Sequence, residues 1–169
     1  LEAEEFVTIV ARRGVAVRSL EPRDIREIYQ LVGALEGSAL AAVAPGLSPA
    51  DLAHLGELDA RAQAAVEAGA FEAFSEANYA FHDFFLERNG NARITRLVHQ
   101  KKQQLYDWNR RAQRLNPSWE RSGLREHEEI LRLLAAGAFG EAAAYLRDIH
   151  WGYPVQEGFV NEVYFADPD

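Results

Sequence analysis

From Glu21 onward the apolar residues recur at steps of three and four, and Pro, Gly and Asn cut that period into helix-length pieces. Side chains that return every 3.6 residues share one face, so each piece is a helix with an apolar stripe. The breaks between pieces are short, which favours tight reversals and an antiparallel stack. Ile25, Ile28, Tyr29, Val32, Leu35, Ala39, Leu40 and Val43 form the first run, stopped by Pro45-Gly46. Ser48-Pro49-Ala50-Asp51 opens a second helix with a cap, a Pro at the first position and an acid at the third. Its stripe is Leu52, Leu55, Asp59, Ala62 and Val66, and Gly69 ends it. A third helix is predicted over 71–88, closed by Asn89-Gly90-Asn91, and a fourth over 92–111. Asn116-Pro117-Ser118 reads as a loop, followed by a fifth helix over 122–136 and a sixth from Phe139. The stretch 154–169 shows no clear period and stays unassigned, with Pro154 unable to continue the sixth helix. The predicted fold is all-α, an antiparallel bundle of six or seven helices.

The first 20 residues differ. Val7-Thr8-Ile9-Val10 and Val15-Ala16-Val17 are β-type runs flanking Ala11-Arg12-Arg13-Gly14, a hairpin signal with a basic tip. The chain opens at Leu1, without Met, in what reads as the end of a helix, as a piece of a longer protein does. The 18 Lys and Arg against 26 Asp and Glu leave a net charge of −8, poorly suited to holding DNA through the bundle itself. There is no cysteine, which excludes disulfides and thiolate metal sites and fits a cytoplasmic protein. By inspection no apolar run approaches a membrane span, and no signal-peptide pattern is present.

The informative residues are polar ones on apolar stripes. The third helix aligns Phe74, Asn78, Phe81, His82 and Phe85; the fifth aligns Leu124, His127, Ile130, Leu131 and Leu134; the sixth aligns Ala143, Leu146 and His150. Three helices therefore each aim an imidazole inward, with Asn78 one turn from the first. A single buried His is usually a satisfied core residue. Three of them would each need a partner, and one divalent cation could serve all three. Nitrogen and oxygen ligands suit Zn²⁺ foremost, with Ni²⁺, Mn²⁺ or Fe²⁺ as alternatives. The plainer alternative is that the three never converge. His54 and His99 read as surface residues. Arg125, and with it Arg121, could hold a ligand carboxylate near the metal, or could be exposed charges near a helix start. No Ser-His-Asp spacing, HExxH or phosphate-binding glycine loop is present.

Taken in order, these elements resemble the FadR subgroup of GntR-type transcription regulators and their C-terminal FCD effector domain. The carriers are Leu20-Glu21-Pro22-Arg23-Asp24-Ile25 with Leu35-Glu36-Gly37, Asn78-Tyr79-Ala80-Phe81-His82, Arg88-Asn89-Gly90-Asn91, Glu126-His127-Glu128-Glu129-Ile130 and Arg147-Asp148-Ile149-His150. The resemblance implies that 21–153 is the effector domain. It implies that 1–20 is the remnant of a winged helix-turn-helix, with Arg12, Arg13 and Gly14 of its wing touching operator DNA in the full-length protein. It implies an Asp and three His around a metal whose shell a small organic acid completes. Here the His positions are His82, His127 and His150, and the Asp position is Asn78. Val32 stands where the family commonly has an Arg. A homodimer is implied as well. The expected function is a cytoplasmic, ligand-responsive transcription regulator, not an enzyme and not a membrane protein. The alternatives are a metal-dependent hydrolase, disfavoured because no carboxylate takes a clear general-base position and Glu126 and Glu128 flank His127 on other faces, and a ligand-free dimerisation bundle.

Overall fold

The computed structural model describes the backbone of residues 7–10, 14–17, 20–112 and 116–165, and the side chains of residues 20–106 and 116–165. Strands β1 (Val7–Val10) and β2 (Gly14–Val17) pair antiparallel, with Val7 opposite Val17 and Val10 opposite Gly14. Arg12 and Arg13 lie outside the described residues. Every described element that follows is helical: α1 (Pro22–Val43), a 3₁₀ turn (Ala44–Gly46), α2 (Pro49–Glu67), α3 (Phe71–Asn89), α4 (Ala92–Ala112), α5 (Pro117–Ala135) and α6 (Phe139–Tyr145). A π-helical turn (Leu146–His150), α7 (Tyr153–Val160) and a second π-helical turn (Asn161–Phe165) complete it.

The helix starts follow local chemistry. At α1 the Glu21 N–H donates to the Asp24 carboxylate, and at α2 Ser48 and Asp51 exchange hydrogen bonds in a capping box. The Asn116 side chain accepts from the Ser118 and Trp119 N–H groups, with Pro117 at the first helical position. This segment is therefore a helix start and not the expected loop, and α5 begins at Pro117. Asn is among the strongest caps and Pro needs no N–H partner there. Pro154 likewise sits in the first turn of α7, in the stretch that showed no period. At the end of α3, Gly90 takes φ 69°, the left-handed conformation that lets the chain reverse into α4.

Helix α1 is the axis of the bundle, packing against α3, α4, α6 and the first π turn, while α2 covers α3 and α5. The main core gathers Ile25, Val32, Leu40, Phe85, Leu86, Val98 and Leu146. By length and composition Pro22–Gly46 reaches what a membrane span requires, which corrects the expectation that no run approaches one. Its half-buried packing and a buried Glu36 mark it as a core helix of the bundle.

Small residues set how closely α1 meets the π turn. A Cβ on Gly33 would lie 2.8 Å from Trp151 Cβ and 3.0 Å from the Arg147 carbonyl oxygen. Gly33→Ala gains up to about 1 kcal/mol of helix propensity and loses about 1–3 kcal/mol to overpacking against backbone. The expected net is destabilisation in a urea melt. Gly56→Ala, inside α2 with nothing within 4 Å of its Cβ, shows the propensity gain alone.

Candidate metal centre

The inward stripes of three elements place the histidines. Phe74, Asn78, Phe81, His82 and Phe85 are all buried on α3; His127 sits between Leu124 and Ile130 on α5 and is 1% exposed. His150 ends the π turn, whose wider winding carries it in beside α5. The ring centroids of His82, His127 and His150 are 4.8–5.2 Å apart, and one nitrogen from each lies within 4.8 Å of the others. Phe81 stacks on His127 at 4.0 Å and 7°, fixing that ring's plane.

Each imidazole is also fixed by a carboxylate. His82 Nδ1 is 2.7 Å from Glu36 Oε2, His127 Nδ1 is 3.0 Å from Asp59 Oδ1, and His150 Nδ1 is 2.8 Å from Glu126 Oε2. An ionised carboxylate only accepts, so each Nδ1 carries the proton and each Nε2 presents a lone pair. The Nε2 atoms of His82 and His127 are buried with no hydrogen-bond partner. Two orphaned acceptors in a core cost about 1–3 kcal/mol each. Burial holds both imidazoles well below their ordinary pKa, hence neutral, as metal ligands must be. A donor set of three imidazoles suits a divalent transition metal.

Behind the rings lies a polar layer. Glu36 is fully buried and accepts from His82, from Lys102 Nζ at 3.2 Å and from Trp151 Nε1 at 2.7 Å. Burial alone would raise its pKa, but His82, the buried Lys102 and the Trp151 hydrogen bond together hold it well below the carboxylate range. Burial pushes Asp59 up to about 6, against the opposing pull of His150. Glu126 engages both oxygens: one takes His150, the other accepts from Gln156 Nε2 at 3.0 Å, and Gln156 in turn accepts from Trp119 Nε1. Glu126 is 5% exposed and faces the site, which corrects its expected placement on another face of α5.

A cavity of about 80 Å³ opens beside His82 and His150. Asn78 borders it and donates from Nδ2 to the Tyr106 hydroxyl at 3.0 Å, so the amide stands at the edge of the histidine cluster. Neither arginine expected at the ligand lines this cavity. Arg125 is exposed, and Arg121 is exposed and bound to Glu67 through two hydrogen bonds. On α5 they stand about 200° and 240° round from His127, as 3.6 residues per turn requires. His54 is exposed near Glu57, and His99 pairs with Asp83 at 2.6 Å.

Glu36, Asp59 and Lys102 escaped the sequence reading as site residues. The signal for the first two was present: Glu36 is four residues past Val32 on the α1 stripe, and Asp59 interrupts the α2 stripe. Both are acids on an apolar face, as the histidines are bases on one.

The FCD domain model matches residues 27–150, and the chain belongs to the FCD domain family. That domain is the ligand-binding part of GntR-type transcription regulators, which makes a ligand-responsive regulator the class of protein. Among solved structures, E. coli McbR/YncC is similar with a TM-score of 0.71 at 20% identity, covering 97% of this chain and 79% of that one. Lar, described as controlling the expression of the Listeria monocytogenes agr system and mediating virulence, is similar with a TM-score of 0.68 at 14% identity. That match covers 94% of this chain and 75% of Lar's. At these identities the likeness speaks for the fold. No curated protein matches the chain.

Proposed function

We propose that this chain is the sensing domain of a transcription regulator that detects a small organic acid through a divalent cation, Zn²⁺ foremost and Ni²⁺, Mn²⁺ or Fe²⁺ otherwise. His82, His127 and His150 hold the ion, with Asn78 at its edge. The observation that carries this reading is the set of three Nδ1–carboxylate pairs, which turn the lone pairs of three imidazoles toward one place and leave two of them without any other partner. When bound, the ion offers Lewis-acidic positions to a ligand's oxygens. The residues do the rest: Glu36, Asp59 and Glu126 orient the rings, Phe81 fixes one of them, and the cavity admits the ligand.

The regulatory output needs a ligand that favours one arrangement of a homodimer over another. In the full-length protein β1 and β2 would be the wing of a DNA-reading domain, with Arg12, Arg13 and Gly14 at operator DNA, in the cytoplasm. The alternative of a metal-dependent hydrolase would need a general base, and Glu126, beside His127 in the chain, already accepts from His150 and Gln156.

Asn78→Asp tests the site. It exchanges a neutral amide for a carboxylate of the same reach, which a hard or borderline cation prefers. Zinc titrated calorimetrically into this variant should bind about tenfold tighter, an effect of about 1.4 kcal/mol. Equal or weaker binding would place residue 78 outside the metal's shell.

A further inference from the structure

The cavity beside the histidines is acidic and aromatic where an anion receptor would be basic. No Arg or Lys is among the described residues that line it. One carboxylic acid there, Glu120 in the first turn of α5, has no hydrogen bond or ion pair to any described residue. The two buried glutamates nearby are engaged, Glu36 with three donors and Glu126 with two, whereas Glu120 is half-buried. Tyr29, Tyr106, Trp119 and Tyr164 line the same cavity as Glu120. Burial pushes Glu120 up to about 8, the mark of a carboxylate short of a compensating cation. The cavity volume of about 80 Å³ corresponds to roughly six water positions, room for a ligand of a few heavy atoms.

We propose that Glu120, walled by Tyr29, Tyr106, Trp119 and Tyr164, receives the ammonium group of a small amine-bearing organic acid whose carboxylate faces the three histidines. The carboxylate end of this ligand rests on the metal-and-acid reading above; the ammonium end does not. A dicarboxylate would set its second charge beside Glu120, with no Arg or Lys among the described lining residues to share it. An apolar tail would seal Glu120 away from water without a partner. An ammonium satisfies the carboxylate and meets the faces of the surrounding rings, which attract cations.

The test compares matched compounds on the zinc-loaded protein by calorimetry: L-alanine with propionate, γ-aminobutyrate with butyrate, and δ-aminovalerate with valerate, with succinate as the dianion. At least one amine should bind about tenfold or more tighter than its des-amino partner, the scale of one charge-assisted hydrogen bond. Glu120→Gln keeps the shape and should reduce that preference to about twofold or less, leaving zinc stoichiometry unchanged. The proposal is overturned if acids or succinate bind as tightly as the amines, if the preference survives Glu120→Gln, or if no amine binds at millimolar concentration. Acids that need zinc yet show no amine preference would overturn it and leave the metal reading standing. Amines that bind equally to zinc-free protein, and still lose binding in Glu120→Gln, would support the ammonium site and sink the metal reading.

Discussion

His127→Ala should abolish the stabilisation that zinc gives this domain. A structural zinc site contributes about 10–16 kcal/mol of binding free energy, so one ligand's share is on the order of 3 kcal/mol, roughly 150-fold in affinity. At zinc one hundred times the wild-type Kd, linkage adds about 2.7 kcal/mol of stability. For a chain of this size that raises the melting temperature by about 5–10 °C. In the variant the same zinc should raise it by about 1 °C or less. The substitution also leaves Asp59 without its imidazole, so the zinc-free protein is itself weakened. The informative quantity is therefore the difference between scans with zinc and with chelator, taken separately for each protein. An unchanged difference in His127→Ala would remove this residue from the ligand set.

Glu36→Ala should be among the most destabilising single changes in the chain, about 3–5 kcal/mol in urea denaturation. Glu36 and Lys102 are both fully buried, and the carboxylate is the acceptor for Lys102, Trp151 and His82 at once. Its removal strands an ammonium in the core. A buried ion pair exchanged whole for apolar residues is often neutral or better, so Glu36→Leu combined with Lys102→Met should recover most of the loss. That double variant still lacks the acceptor at His82 Nδ1. Its zinc affinity should stay about 10–100-fold below wild type although its fold is restored. Stability and metal binding thereby separate, which a purely structural role for Glu36 would not produce. A single-variant cost within about 1 kcal/mol would contradict the network described here.

Much of this was legible in the residues. Stops such as Gly69, Asn89-Gly90 and Gly137 carry strong local chemistry, so α1 to α4 fall close to where their periods end. The three histidines were legible because an imidazole on an apolar stripe contradicts its surroundings. Their carboxylate partners were not paired with them, because pairing is tertiary: Glu36 and His82 are 46 positions apart, Asp59 and His127 are 68. The start of α5 was missed because Asn116-Pro117-Ser118 has the composition of a turn as well as of a cap. Helix α7 was missed because eight residues give barely two turns of period, yet it delivers Gln156 to Glu126. Arg121 and Arg125 were near His127 in sequence but not in angle, and on a helix angle decides.

Zinc K-edge X-ray absorption of the zinc-loaded chain reads the ligand shell itself. The expected spectrum is that of one zinc per chain with three imidazole nitrogens at about 2.0–2.1 Å, the remaining shell being light atoms that change when a small carboxylic acid is added. A spectrum with one imidazole or none, or zinc well below one per chain, would contradict it.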